Sequence, residues 1–154
     1  MRRTARRASV ATLALAAALA VGACGHLVVL HDPLTADEHA DLGAAYEARG
    51  QLDLAGHEYK RALKMNPAHH NARFNLGNVE AARSRWPEAE KCYRRALRDS
   101  SDDADAMNNL AIALLRQGRK LDEARALAER AVATGGARDS VYRATLAEVE
   151  AARR

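Results

Sequence analysis

Asn71, Asn75, Asn78, Asn108 and Asn109 fall in two stretches of the chain, and Asn75 and Asn109 are 34 residues apart. A primary amide both donates and accepts a hydrogen bond. A row of amides can therefore pair with the backbone of an extended peptide whatever side chains that peptide carries. Asn75 and Asn109 lie mid-way through segments of helical patterning, where Asn has poor propensity, so helix formation does not explain them. Asn71 stands at a helix start, where capping or solvation accounts for it. Phe74 and Ile112, beside these amides, offer apolar contact to the same ligand.

Other chemistry is harder to assemble. The chain has six His, but His69-His70 falls in a turn and His57-Glu58 lacks the second His of a zinc-protease motif. No pair of His shares a face at ligand spacing, so no metal is expected. Cys92 sits one residue before Tyr93 on a packing segment and reads as a half-buried structural thiol, with no His or electropositive pocket placed beside it. A Gly-rich phosphate loop, a nucleophile elbow and a carboxylate pair are all missing from the sequence. The expectation is a protein that is not an enzyme, with no cofactor and no small-molecule substrate.

The elements that position the amides follow from a period of 34. Leu42, Leu76 and Leu110 keep that spacing, as do Gly43 with Gly77, Ala55 with Ala89, Tyr59 with Tyr93, and Ala62 with Ala96. A period of this size means one helical hairpin per repeat, each too small to bury its apolar face alone. Aromatics are only 4% of the chain, which suits thin, closely packed helices better than a wide core. Small residues at Gly43, Gly77, Ala55 and Ala89 let helix axes approach to ~8–10 Å, a packing role. Thr35 to Glu38 reads as a capping box, Gly50 as a C-cap, and Asn66-Pro67 as a stop.

Leu42, Gly43, Tyr46, Ala55, Tyr59, Ala62 and Pro67 stand where the tetratricopeptide repeat has its signature residues, and most recur in the next unit. The chain thus resembles that family over residues 36–138. The implied fold is all-α, an α-solenoid of about three tetratricopeptide hairpins (36–69, 70–103 and 104–138) with a capping helix over 139–154. His39 then replaces a bulky residue of the pattern and is expected to pack. The third unit departs from the pattern. Its turn from Gly118 to Ala124 holds one residue more than that from Gly50 to Ala55, and Ala128 replaces the aromatic of Tyr59 and Tyr93.

Residues 1–23 read as an export signal, with the basic run MRRTARR ahead of an apolar stretch from Val10 to Val21. Val21-Gly22-Ala23-Cys24 resembles the lipobox of bacterial lipoproteins, which implies lipidation at Cys24 and a short tether over 24–35. The alternative is an uncleaved anchor, since Val10 to Leu30 matches the ~20 residues needed to span a bilayer. Positive charge at the N-terminus places the repeats outside the cytoplasm in either case. Gly25, where inner-membrane lipoproteins often carry Asp, points by resemblance to the periplasmic face of the outer membrane. Loss of the leader takes Lys+Arg from 24 to 20 against 20 Asp+Glu, so the basic pI of about 9.4 belongs to the leader. A neutral, interspersed mature surface argues against a nucleic-acid partner.

In the tetratricopeptide family the inner groove is lined by first-helix positions. Here these are Asp37, Ala40, Asp41 and Ala44, then Asn71, Phe74, Asn75 and Asn78, then Asp105, Asn108, Asn109 and Ile112. The Lys and Arg positions of chaperone-tail-binding relatives are Ala40, Ala44, Asn108 and Ile112, which argues against capture of an acidic C-terminal carboxylate. The resemblance implies a membrane-anchored scaffold or adaptor lipoprotein of the cell envelope, binding a protein or peptide segment through its concave groove. Repeat lipoproteins of this kind serve as pilotins for secretin pores or in assembly of secretion and envelope complexes. An accessory subunit of an envelope peptidase or polymer exporter, and a lipid-anchored structural spacer, are the alternatives.

Overall fold

Thr35 closes the first helix start from both sides. Its hydroxyl accepts from the Glu38 backbone N–H at 3.2 Å, and its own N–H donates to the Glu38 carboxylate at 2.7 Å. This satisfies two of the donors that a helix start leaves free. The helix it opens, α1 (Ala36–Ala48), is the first of seven in the computed structural model, which describes residues 32–154. The others are α2 (Leu52–Met65), α3 (His70–Ala82), α4 (Trp86–Asp99), α5 (Ala104–Arg116), α6 (Leu121–Thr134) and α7 (Asp139–Ala152). The described residues contain helices and turns and no strand.

The turns show how the chain reverses. Gly50 and Gly118 take φ of +71° and +62°, the left-handed region that releases a helix into a tight turn. Ser84 holds the equivalent place between α3 and α4 at φ +58°, although it carries a Cβ. The extra residue of the third turn is absorbed at Lys120, which adopts φ +54° immediately before α6. At the start of α3 the cap is His69, whose Nδ1 accepts from the Ala72 N–H at 3.3 Å. Asn71 is exposed one turn-position further on and caps nothing.

Packing pairs α1 with α2, α3 with α4, and α5 with α6 most extensively, and α7 lies on both α5 and α6. The backbones of α1 and α3, and of α3 and α5, also approach one another, whereas those of α2, α4 and α6 do not. First helices therefore line the tighter, inner side, and second helices the wider, outer side. One core cluster joins Ala55, Tyr59 and Ala62 of α2 to Ala72, Leu76 and Val79 of α3. The other runs from Ala89 and Tyr93 of α4 through α5 and α6 to Tyr142 and Val149 of α7. Both are lined by Ala, which explains how so few aromatics suffice.

His39 is fully buried, as a packing residue should be, and it brings a polar partner inward. Its Nδ1 lies 2.6 Å from the Glu58 carboxylate of α2. Burial of a charge is tolerable only when it is paired and hydrogen-bonded. Glu58 meets this through His39, His57 and Arg61. Cys24, the leader 1–23 and most of the tether lie outside the described residues. Among the described residues no helix is long and apolar enough to cross a membrane.

Candidate peptide-binding groove

The amides of α3 and α5 meet on the inner side. Asn109 Nδ2 donates to Asn78 Oδ1 at 3.0 Å across the two helices. The same oxygen accepts from the Tyr93 hydroxyl at 2.9 Å, so both of its lone pairs are used. Asn108 Nδ2 donates in turn to Asn109 Oδ1 at 3.2 Å. The result is a connected chain from Asn108 through Asn109 to Asn78. It fixes the orientation of each amide and leaves the Asn78 NH2 outside these bonds. Asn108 is 2% exposed and its Oδ1 has no partner among the described residues.

Around this chain the walls are apolar. Ala81, Ala82, Trp86, Tyr93 and Ile112 join Asn78 and Asn109 in lining an open cavity of about 310 Å³. Phe74 stands beside it, its ring 5.9 Å from that of Tyr93 and tilted by 53°. Apolar walls with a few oriented polar groups are the usual make-up of a site that holds a side chain and its backbone. Of the five amides and two apolar residues expected to meet the ligand, Asn78, Asn108, Asn109 and Ile112 come together here, with Phe74 adjoining through Tyr93. Asn75 is half-buried against the preceding repeat, where it interacts with the Tyr59 hydroxyl. Asn71 stays exposed and apart.

The period of 34 accounts for Tyr59 and Tyr93 as packing positions, and the structure adds that their buried hydroxyls, with that of Tyr142, bond to polar residues of the first helices. Tyr59 donates to Glu47 at 2.7 Å, and Tyr142 to Asp105 at 2.8 Å. Burial pushes the Tyr59 and Tyr93 hydroxyls well above the ordinary phenol range, so both remain donors at neutral pH. A buried Tyr ring needs a partner for its polar end. That requirement was a signal in the sequence pointing to a polar residue near each ring tip. Trp86 is the first residue of α4, and its part in the wall depends on where α5 packs.

Elsewhere the His and Cys groups are engaged in structure. His69 lies 3.1 Å from Asp37, and His70 Nε2 lies 2.9 Å from Asp103. Cys92 is a free, half-buried thiol whose pKa is raised by burial first and by Glu80 second. Among the described residues no group of three or more His, Cys, Asp or Glu could hold a metal ion.

A model of the tetratricopeptide repeat family matches residues 40–91 and again 78–140. The chain is 28% identical over 93 residues to the tetratricopeptide repeat-containing protein trd-1 of Caenorhabditis elegans, a match covering 60% of this chain and 12% of that protein. Among solved structures, the first tetratricopeptide domain of Spaghetti (RPAP3) bound to the HSP90 peptide SRMEEVD superposes with a TM-score of 0.70 at 18% identity, covering 80% of this chain and 97% of that one. The TPR2B domain of yeast Sti1 in its pHsp70 complex gives 0.71 at 17% identity, with 77% and 98% covered. At these identities the structural likeness speaks for the fold.

Proposed function

The chain belongs to the tetratricopeptide repeat family, and on that premise we propose that it is a scaffold whose inner groove captures an extended segment of another protein. Its three hairpins act as three repeats, with α7 as the cap. The observation that carries this reading is the oriented amide chain Asn108–Asn109–Asn78 at the foot of the Trp86, Tyr93 and Ile112 walls. Amides serve the ligand backbone, and the walls hold one apolar side chain. The HSP90 peptide named with Spaghetti and the pHsp70 complex of Sti1 support a protein segment as the class of ligand. An acidic tail is not the expected sequence here, because the first helices supply amides and Ala where a carboxylate needs cations. On the strength of the leader and Val21-Gly22-Ala23-Cys24, the scaffold is lipid-anchored at Cys24 and works in the cell envelope, at the periplasmic face of an outer membrane, in assembly of an envelope complex.

Photo-crosslinking tests the groove. A photoreactive residue at Ile112 should trap a partner that the same residue at Glu129, on the outer helix α6, does not. Trapping only at Glu129 would move the binding face to the outer side. Intact mass of the membrane-extracted protein tests the anchor: an acyl mass on Cys24 is expected and should vanish in Cys24→Ala. An unmodified, uncleaved wild-type chain would remove the lipoprotein part and leave the groove standing.

A further inference from the structure

The outer side carries a second surface of different chemistry. Lys91, Arg94, Arg95, Arg98 and Arg119 surround an open pocket of about 410 Å³, with the buried Glu90 at its base. Two of these cations are committed. Arg94 forks onto Glu123 at 2.5 and 2.8 Å and also donates to Glu90 at 2.9 Å, and Arg119 bonds to Glu90. Lys91, Arg95 and Arg98 are exposed and enter no ion pair among the described residues. Their spacing of four and three residues sets them in one row on α4.

The row continues by the period of the chain. Arg61 and Arg95, and Lys64 and Arg98, are each 34 apart, so α2 repeats two of the three basic positions, with Arg61 paired to Glu58 and His57 standing where α4 has Lys91. Across residues 32–154 cations and anions are equal in number, so the row is a local arrangement on α4 and not an overall excess. Pro87 is the one apolar residue lining the pocket, which removes the buried anchor that a protein interface relies on. It also lacks an aromatic on which a nucleic-acid base could stack. Flexible, unpaired cations without anchors suit a surface of many loosely placed phosphates. As the middle of the three outer helices, α4 is the one a flat surface would meet first.

We propose that the outer face of α4, through Lys91, Arg95 and Arg98, docks the solenoid onto an anionic phospholipid surface. The groove then faces away from the lipid, open to its partner. This inference stands apart from the groove reading and uses none of its residues.

Vesicle flotation of the full chain tests it, with phosphatidylcholine alone and phosphatidylcholine mixed with phosphatidylglycerol. Lys91→Gln with Arg95→Gln and Arg98→Gln should lower partition onto the mixed vesicles about tenfold to a hundredfold, since each basic side chain near such a surface contributes about fivefold. Arg49→Gln with Arg116→Gln and Arg138→Gln removes the same charge elsewhere and should leave partition near the wild-type value. If the α4 triple variant fails to reproduce the wild-type thermal melt, Arg95→Gln alone should still show about a fivefold loss. Equal losses in both triple variants would overturn the proposal in favour of net charge. Equal partition of the α4 variant and wild type would overturn it too. If a poly-glutamate peptide then binds wild type but not the α4 variant, the face belongs to an acidic protein segment.

Discussion

A Cβ built on Gly77 would lie 2.6 Å from Cε1 of Tyr93, closer than side-chain atoms come. Gly43 stands in the same relation to Tyr59, at 2.7 Å. In the third hairpin the position of Gly77 is Ala111, which has a Cβ, and the aromatic it would strike is replaced by Ala128; both are fully buried. Glycine and ring are thus two halves of one packing solution, and the third hairpin uses another. Gly77→Ala should destabilise by ~1–3 kcal/mol through overpacking, despite the better helix propensity of Ala. In a Tyr93→Ala background the same change should be neutral or stabilising. Thermal melts of the double-mutant cycle measure the coupling, and additive effects would show that the ring moves aside freely.

Ser84 offers the opposite sign. It takes the left-handed turn conformation that Gly50 and Gly118 take in the equivalent turns, and a side chain there costs roughly 1–2 kcal/mol. Part of that gain is offset by the greater freedom of glycine in the unfolded chain. Ser84→Gly should therefore raise stability by about 0.5–1 kcal/mol. Chemical denaturation midpoints decide it, and a fall on substitution would mean that the Ser84 side chain contributes more than its backbone strain costs.

Besides the exposed Glu38 of the capping box, Glu58, Glu90 and Glu123 contribute to the acid limit of the fold. Burial works to raise Glu58 and Glu90, but hydrogen bonds outweigh it, from His57 and His39 for the first and from Arg94 and Gln117 for the second. The Arg94 hydrogen bonds hold Glu123 down. All three thus titrate below the ordinary value of 4.5. The unfolded chain then takes up these protons at higher pH than the folded chain does. Their stabilisation is complete above the unfolded value and is lost as pH falls through the folded ones. Melting temperature should be flat from neutral pH to about 5 and drop below that. Glu90→Gln should cost ~1–3 kcal/mol at neutral pH by weakening charge-assisted bonds, and should make the acid drop shallower. An acid drop of unchanged depth in the variant would assign it to other groups.

Helix hairpins were legible because they rest on local rules repeated at a period of 34, and the Thr35 capping box was legible for the same reason. The extra residue after Gly118 was visible too, but its left-handed Lys120 was not, because the sequence does not say which residue of a lengthened turn absorbs the reversal. The buried His39–Glu58 pair was half legible. His39 stood at a packing position, while Glu58 looked like any surface acid of a helix. The chain of amides was the least legible part. Asn109 was expected to act beside Asn75, its equivalent 34 residues earlier, yet it bonds to Asn78, 31 residues earlier. That choice depends on how far one helix slides along the next, a distance set by Ala and Tyr packing and not by the period.

The partner amides themselves give the last prediction. Asn75 and Asn109 hold the same repeat position, and each lies against the tyrosine of the preceding hairpin, Tyr59 and Tyr93, but Asn109 carries further bonds. Asn109 also donates to Asn78 and accepts from Asn108 beside the walls of Trp86 and Ile112, whereas Asn75 is tied to Tyr59. Asn109→Ala therefore removes one ligand contact and one of the two bonds that hold Asn78, whose other bond, to Tyr93, remains, while Asn75→Ala removes a contact and its interaction with Tyr59. Each lost hydrogen bond in a groove costs ~0.5–1.5 kcal/mol, and more where a partner stays buried and unpaired. Asn109→Ala frees Asn108 Nδ2 beside an Oδ1 that already has no partner, so it should be the costlier of the two. The double variant should weaken a trapped partner about tenfold or more, since ~1.4 kcal/mol is one decade in affinity. Titration calorimetry against the segment identified by crosslinking reads these values, with the thermal melt reporting fold. An Asn75→Ala loss equal to or larger than that of Asn109→Ala would show that ligand binding does not depend on the amide chain. Unchanged affinity in the double variant would show that the groove is held open by these amides but is not where the partner sits.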